Sequence, residues 1–143
     1  MLERKNEKDM VLTMNRKMMK NMIEQYYQRF YNMEITADIR ASKERIGYYE
    51  EEGCMVTIVV RGVKKLMGES IPYEERITEE KLEEICKEMF ALEEMEVLRI
   101  SFNSGLSTSV EGYGCCEHTV KSAYFHGIDV TVNPIQQMNL VRK

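Results

Sequence analysis

The sequence has little of several residue types on which many enzymes and membrane proteins depend. Its 143 residues include no Trp, two His and two Pro. The longest apolar run, residues 55–60, is interrupted by Thr57 and is far shorter than the ~18–20 residues that a membrane-spanning helix requires. The N-terminus is charged and lacks the apolar segment of a secretion signal. We therefore expect a cytoplasmic protein that does not bind membranes.

The common catalytic motifs are also absent. The sequence has no GxGxxG or GxxxxGK(S/T) phosphate-binding loop, no HExxH zinc motif and no GxSxG nucleophile motif. With so few His residues, few side chains remain for acid–base chemistry near neutral pH. We therefore predict a non-enzymatic protein without a cofactor or a bound metal.

What is present is the composition of one globular domain. The hydrophobic fraction is 43%, and the length falls in the range of about 100–150 residues that most single domains occupy. No internal repeat and no Ser- or Pro-rich linker is visible in the sequence. We expect a mobile polar N-terminus over residues 1–10, a single α+β domain over 11–134 and a polar tail over 135–143.

Two segments have the apolar period of an α-helix. From about residue 11 to residue 31, large apolar residues recur at four-residue spacing, and neither Gly nor Pro interrupts them. The second segment begins at Thr78, a good N-cap, and has Glu79 and Glu80 in the first turn, where the helix dipole favours negative charge. The apolar stripe of the second helix consists of Leu82, Ile85, Cys86, Met89 and Phe90.

Alternating apolar and polar residues predict strands elsewhere. The predicted strands are 33–41, a short piece at 46–49, 54–66, 97–102, 106–111 and 120–132. Turns are predicted at 51–53 and 103–105, and residues 68–72 break the pattern. The resulting order, α-β-(β)-β-α-β-β-β, favours an α+β fold of two layers. We expect a predominantly antiparallel sheet of five or six strands, packed by two helices.

Acidic residues are concentrated in one part of the chain. Residues 69–96 hold eleven Asp or Glu and three Lys or Arg, whereas residues 1–29 carry a net charge of +3. The acidic segment attracts cationic partners and repels nucleic acid; a solvated helix face would explain the same pattern. The partner-binding residues that we predict are Glu74, Glu75, Glu79, Glu80, Glu83, Glu84 and Glu88.

This charge distribution predicts a small protein-binding module whose partner has a basic surface. Its acidic face would cover the nucleic-acid-binding surface of a target enzyme, as inhibitors encoded by bacterial phages and mobile elements do. Direct nucleic-acid binding is not expected. The basic residues of the N-terminal segment exceed its acidic residues by three, and each phosphate contact requires its own cation.

The loop over residues 112–118 supports an alternative function. Its Cys115, Cys116 and His118, joined by His126, could bind zinc, or one thiolate could act as a nucleophile with a His as its base. Adjacent Cys residues are poorly placed to bind one tetrahedral ion, and a simple Gly-rich turn explains the loop equally well. His126 falls on the apolar side of the predicted last strand, which is typical of a hydrogen-bonded core residue. Whether these four side chains converge is left open by the sequence.

The first helix is rich in methionine. Met14, Met18, Met19 and Met22 share much of one helical face. An exposed face of such adaptable side chains would form the interface of a homo-oligomer. The simpler interpretation is that this face covers the sheet as part of the core.

Overall fold

The computed structural model describes residues 9–46, 48 and 51–135. In these ranges the chain forms six strands and two α-helices. In chain order they are β1 (Met10–Asn15), α1 (Arg16–Tyr31), β2 (Glu34–Ile46), β3 (Glu51–Leu66), β4 (Glu69–Ile77), α2 (Glu79–Ala91), β5 (Met95–Glu111) and β6 (His118–Pro134). Neither of these helices is long and apolar enough to cross a membrane.

The six strands form two antiparallel sheets of three strands each. One sheet has the order β1-β6-β5 and the other the order β2-β3-β4. The α+β class and the antiparallel pairing are therefore confirmed. The prediction of one sheet of five or six strands is wrong, because no ladder of hydrogen bonds joins the two groups of three within the described residues.

The helices begin at side-chain caps. Asn15 accepts a hydrogen bond from the backbone nitrogen of Met18 at 2.8 Å, and Thr78 accepts one from the backbone nitrogen of Lys81 at 3.1 Å. These bonds satisfy backbone donors that a helix leaves unpaired in its first turn. The Thr78 cap confirms the predicted start of α2. The predicted start of α1 at residue 11 is wrong, because residues 10–15 are extended and pair with β6.

Three other local predictions are wrong for the same reason. Residues 51–53 and 103–105, predicted as turns, lie inside β3 and β5. Of residues 68–72, where a break in the pattern is predicted, only Gly68 lies in a turn, in which Met67 and Gly68 both have positive φ, and the others begin β4. The short strand predicted at 46–49 lies largely outside the described residues, and its first residue ends β2. In each strand, pairing with the neighbouring strand of the sheet supplies the backbone hydrogen bonds that the apolar–polar pattern alone did not indicate.

The predicted domain limits fall mostly outside the described ranges. Of the N-terminal segment 1–10, only Asp9 and Met10 are described, and Met10 begins β1. The amide of Asn133 donates a hydrogen bond to the Asp9 carboxylate at 2.8 Å, so the first and last described strands are joined at this edge. Of the predicted C-terminal tail, only Ile135 is described.

The order β-α-β-β occurs twice along the chain. Residues 10–66 contribute β1, α1, β2 and β3, and residues 69–134 contribute β4, α2, β5 and β6. Each unit adds its first strand to the other unit's sheet, because β1 pairs with β6 and β4 pairs with β3. The structure therefore contains an internal repeat that the sequence did not reveal.

The strand register repeats together with the element order. In the β2-β3-β4 sheet, one row of paired residues runs from Ile77 through Ile58 to Ile39. In the β1-β6-β5 sheet, the corresponding row runs from Met14 through Ile128 to Phe102. The residue after Ile77 caps α2, and the residue after Met14 caps α1. Equivalent positions in the two units can therefore be assigned directly from the pairing.

The core lies between the helices and the inner faces of both sheets. Tyr26, Tyr27 and Met19 of α1 are almost completely buried, as are Leu82 and Ile85 of α2. The strands contribute mainly β-branched side chains: Ile35, Ile39, Ile58, Val60, Val97, Ile128, Val130 and Val132. Burial of this apolar surface is the main favourable term in folding.

The methionine face of α1 is largely part of this core. Met19 and Met22 are buried, and Met14, which lies in β1 rather than in the helix, is buried as well. Met18 is exposed. Homo-oligomer formation through α1 stays a prediction, with Met18 as the methionine of this helix available for it.

Candidate functional site

The exposed side of α2 carries four of the predicted partner-binding carboxylates. Glu79, Glu80 and Glu84 are exposed and Glu83 is partly buried. Glu83 forms an ion pair with Lys87 one turn later, at 3.8 Å. We call Glu79, Glu80, Glu83 and Glu84 the α2 carboxylate face.

Glu74 lies away from this face. It belongs to β4, where it is paired in register with Arg61 of β3 on the outer face of the sheet. The Arg61 guanidinium contacts the Glu74 carboxylate at 3.3 Å and that of Asp38 at 3.9 Å. Glu74 is therefore part of an ion-pair ladder across the second sheet and does not extend the α2 carboxylate face.

Glu75 points inward, because successive residues of a strand face opposite sides of the sheet. Its carboxylate accepts hydrogen bonds from the hydroxyls of Tyr27, at 2.5 Å, and Tyr73, at 2.7 Å. Burial acts to raise the pKa of Glu75, but these two bonds and the nearby Lys81 ammonium hold the pKa below its ordinary value. The Glu75 carboxylate is thus engaged within the protein.

The same bonds bind the tyrosines into the core. Burial, followed by the hydrogen bond to Glu75, raises the pKa of Tyr27. The same two causes raise the pKa of Tyr73 to about 12. Both hydroxyls therefore stay protonated and act as donors throughout the physiological pH range. This network connects α1 to β4 and has a structural role.

Lys81 covers the neighbouring aromatic rings. Its ammonium lies 5.4 Å from the centre of the Tyr26 ring and 6.0 Å from that of Tyr31, within the range of a cation–π interaction. Glu88, the fifth carboxylate of α2, is half-buried, and its charge contributes, after burial, to raising the pKa of Tyr26. Tyr26 is 1% exposed and is therefore a core residue.

The structure places the loop thiols at the end of a long two-stranded ribbon. Cys115 and Cys116 are exposed, with their sulfur atoms 3.8 Å apart, and the Nδ1 atom of His118 lies 3.4 Å from the carbonyl oxygen of Cys116. His126 lies eight residues along β6 from His118, or about 26 Å at ~3.3 Å per residue. The four side chains therefore do not converge. No group of three or more potential metal ligands occurs among the residues that the structure describes.

His126 is exposed rather than in the core, which corrects the sequence-based interpretation. A β-bulge shifts the pairing of β5 with β6 between Asn103 and Ser104. Because the bulge changes which residues of β6 face the core, Phe125 is buried and His126 is exposed. The His126 ring stacks on Tyr124 with the ring centres 4.8 Å apart.

The other two thiols are also in different environments. Cys86 is fully buried in α2, and burial, together with the charge of Glu83, raises the pKa of its thiol to about 12. Cys54 is half-buried in β3 and donates a hydrogen bond to the carbonyl oxygen of Tyr124 at 3.3 Å. Cys86 is therefore a core residue, and Cys54 joins the two sheets.

A pocket of about 530 Å³ opens beside this junction. It is lined by Val56 and Ile58 of β3, by Phe102 of β5 and, where β4 passes into α2, by residues 76–79, which include Glu79. We call it the seam pocket, because it lies where the β2-β3-β4 sheet meets β5. Sequence reasoning missed it, because its residues come from four separate elements and show no common spacing.

Comparisons with models of protein families, with curated proteins and with solved structures give no match to this chain. Function is therefore inferred from residues and geometry alone. Two features of the described residues are candidates for binding another molecule. One is the α2 carboxylate face, and the other is the seam pocket. Glu79 belongs to both.

Proposed function

We propose that this protein is a non-catalytic protein-binding module and that its α2 carboxylate face binds a basic surface of a partner protein. One observation carries the proposal. Of the four carboxylates on this face, only Glu83 has an ion-pair partner among the residues that the structure describes. The charges of Glu79, Glu80 and Glu84 are therefore available to a partner.

The geometry of the face suits a cationic partner. Glu80 and Glu84 are separated by one helical turn, so their carboxylates project from the same side of α2. Like charges at this spacing destabilise a helix slightly, and a partner's Lys or Arg residues would relieve that repulsion. A negative surface of this kind also speeds the encounter with a positive one, most strongly at low ionic strength.

A nucleic-acid-binding surface of an enzyme is the partner surface that we propose. Such surfaces present rows of Lys and Arg side chains that bind successive phosphates. A helix with a row of carboxylates can occupy the same cations and exclude the nucleic acid. The protein would then act as a small inhibitor, of the kind that phages and other mobile elements use against host enzymes.

The test is affinity capture of a partner from a bacterial lysate with three forms of the full chain. These are the wild type, the double variant Glu80→Lys/Glu84→Lys, and the matched control Glu69→Lys/Glu111→Lys, which makes the same charge change at exposed positions outside α2. We expect wild type and control to retain the same partner, and the α2 variant to bind it at least about tenfold more weakly, because the substitutions bring like charges together across the interface.

Two results would contradict the proposal. A partner that binds the α2 variant as strongly as the wild type does not use this face. Equal loss of binding in the α2 variant and in the control would indicate a response to net charge alone. Circular dichroism and thermal unfolding of all three forms establish that a loss of binding is not a loss of folding.

A further inference from the structure

The turn at the end of the β5-β6 ribbon holds two thiols side by side. Gly114, Cys115 and Cys116 form a single turn of 3₁₀-helix, and the sulfur atoms of the two cysteines lie 3.8 Å apart. Both cysteines are exposed. The two thiols are therefore in contact with each other and open to solvent.

Backbone contacts within the turn fix the position of Cys116. Its N–H donates a hydrogen bond to the carbonyl oxygen of Tyr113 at 2.9 Å. Its own carbonyl oxygen packs so closely on Gly112 that a Cβ atom there would overlap it. Gly112 also has a φ of +99°, in the region that favours glycine. The way in which the sequence closes the ribbon thus places the second thiol beside the first.

The two thiols form a pair without a third reactive group. His118 has its Nδ1 atom 3.4 Å from the carbonyl oxygen of Cys116. Within the described part of the chain, no set of three potential metal ligands includes these cysteines, whereas a structural zinc site requires four ligands. The reaction that two adjacent thiols undergo by themselves is oxidation to a disulfide by thiol–disulfide exchange.

We propose that Cys115 and Cys116 are a site of reversible oxidation, at which glutathione disulfide converts the two thiols into a disulfide between adjacent residues. The thiolate of one cysteine attacks a sulfur of glutathione disulfide, which forms a mixed disulfide and releases one glutathione thiolate. The neighbouring thiolate attacks the protein sulfur of the mixed disulfide and releases the second. The protein loses two electrons, and its two thiol protons pass through solvent to the two glutathione thiolates.

The disulfide formed in this way is easily reduced again. The peptide bond between the two cysteines is trans, so their Cα atoms are about 3.8 Å apart. Most disulfides span about 4.4–6.8 Å between Cα atoms, and a shorter span strains the bond. Strained and exposed disulfides are the labile ones. A Cβ atom at Gly114 would have no neighbour within 4 Å, so the turn has room to adjust as the bond forms.

This site is separate from the protein-binding role proposed above. It lies at the tip of the ribbon, where Val110 and Tyr113 are also exposed, and it contains no residue of the α2 carboxylate face. Oxidation of the thiols is measured on the protein alone, so its outcome is independent of the capture experiment.

The test is incubation of the full chain with an excess of glutathione disulfide, followed by mass spectrometry of the intact protein and of its peptides. In the wild type, the peptide with both cysteines should lose the mass of two hydrogen atoms, keep no glutathione and regain the hydrogens with dithiothreitol. In Cys115→Ser and Cys116→Ser, the remaining thiol should retain at least about tenfold more glutathione than the wild type, because the thiol that would release it is missing.

Two glycine variants test the role of the turn, and circular dichroism establishes that they remain folded. Gly112→Ala displaces Cys116 and should slow formation of the disulfide at least about tenfold relative to Gly114→Ala, because the second attack depends on the placement of the two sulfur atoms. The proposal is overturned if the wild type retains glutathione as the single cysteine variants do. It is equally overturned if the disulfide joins two chains or forms at equal rates in the two glycine variants.

Discussion

The hydroxyl of Tyr27 on α1 donates a hydrogen bond of 2.5 Å to the carboxylate of Glu75 on β4. The two residues are separated by 48 positions in the sequence and belong to different units of the repeat. Tyr27 is 1% exposed, so this bond forms at the edge of the core, where an unsatisfied polar group would be costly. The bond is one of the direct links between the two β-α-β-β units.

The first prediction concerns this bond and acid stability. The pKa of Glu75 is lowered in the folded protein, so the folded state favours the ionised carboxylate. The resulting stabilisation is present above the ordinary Glu pKa of about 4.3 and is lost as the pH falls through the lower pKa of the folded state. Tyr27→Phe removes one of the two donors, and should lower the free energy of unfolding by about 1–3 kcal/mol at pH 7.

Urea unfolding of wild type and Tyr27→Phe between pH 3 and pH 7 measures both effects. The variant should lose less stability on acidification than the wild type, because its Glu75 pKa lies closer to the ordinary value. Tyr113→Phe, at a residue that is 90% exposed, is the control for removing a tyrosine hydroxyl. Identical pH profiles for wild type and Tyr27→Phe would show that the bond does not stabilise the fold.

The second prediction concerns Gly127, where β1 passes close to β6. Gly127 has a φ of +133°, and a Cβ atom at this position would overlap the carbonyl oxygen of Met14. Because that oxygen is backbone, a side chain can be accommodated only by moving a strand. Gly127→Ala should therefore destabilise the protein by about 3 kcal/mol or more.

Gly68→Ala is the matched control for this substitution. Gly68 also has a positive φ, +81°, but a Cβ atom there has no neighbour within 4 Å. Its replacement should cost only the conformational strain, about 1–2 kcal/mol. Chemical denaturation of both variants separates crowding from strain, and equal losses of stability would contradict the close contact between β1 and β6.

The third prediction follows from the repeat. Met67 and Gly68 join the two units by a tight turn between β3 and β4, where Leu66 is paired with Glu69. The equivalent strands of the other sheet, β6 and β1, are paired at Val132 and Met10. A circular permutant opened between Met67 and Gly68, with residues 143 and 1 joined by a flexible linker, should keep the same sheets and fold cooperatively.

Circular dichroism and thermal unfolding of this permutant test the equivalence of the two connections. Its control is a permutant opened between Val59 and Val60, inside the central strand β3, which should not fold, because the break interrupts two ladders of hydrogen bonds. If the first permutant is as disordered as the control, the two connections are not equivalent.

The fourth prediction ranks the thiols by their reactivity. Cys115 and Cys116 are exposed at the tip of the ribbon, whereas Cys86 is fully buried with its pKa raised to about 12. Since the thiolate is the reactive form, iodoacetamide at pH 8 should modify Cys115 and Cys116 first and Cys86 only after unfolding. Peptide mass spectrometry over time gives this order, and rapid labelling of Cys86 in the native protein would contradict its place in the core.

Much of the helical structure could be predicted because its signals are local. The apolar stripe at Leu82, Ile85 and Cys86 is completely buried, and Thr78 caps the helix as expected. The same reasoning placed the start of α1 too early, because apolar residues of β1 fall in phase with the helical stripe. Met14 is buried in both interpretations, as a strand residue in one and a helix residue in the other.

The candidate site could be predicted only in part. Clustering of Glu in the sequence located the α2 carboxylate face, but the sequence also assigned Glu74 and Glu75 to it. These two residues lie on opposite sides of β4, one beside Arg61 and the other beside Tyr27. A strand was not recognised there, so the alternation that separates the two carboxylates could not be applied.

The sequence by itself determined the α+β class, the two amphipathic helices and the region of highest negative charge. Each of these three features depends on residues within one or two helical turns or on neighbouring strand positions. The tertiary structure alone decided the division into two sheets, the repeat of β-α-β-β units and the seam pocket. These depend on pairings such as that of Met14 with Ile128. Contacts between positions more than a hundred residues apart leave no periodic signal in the sequence.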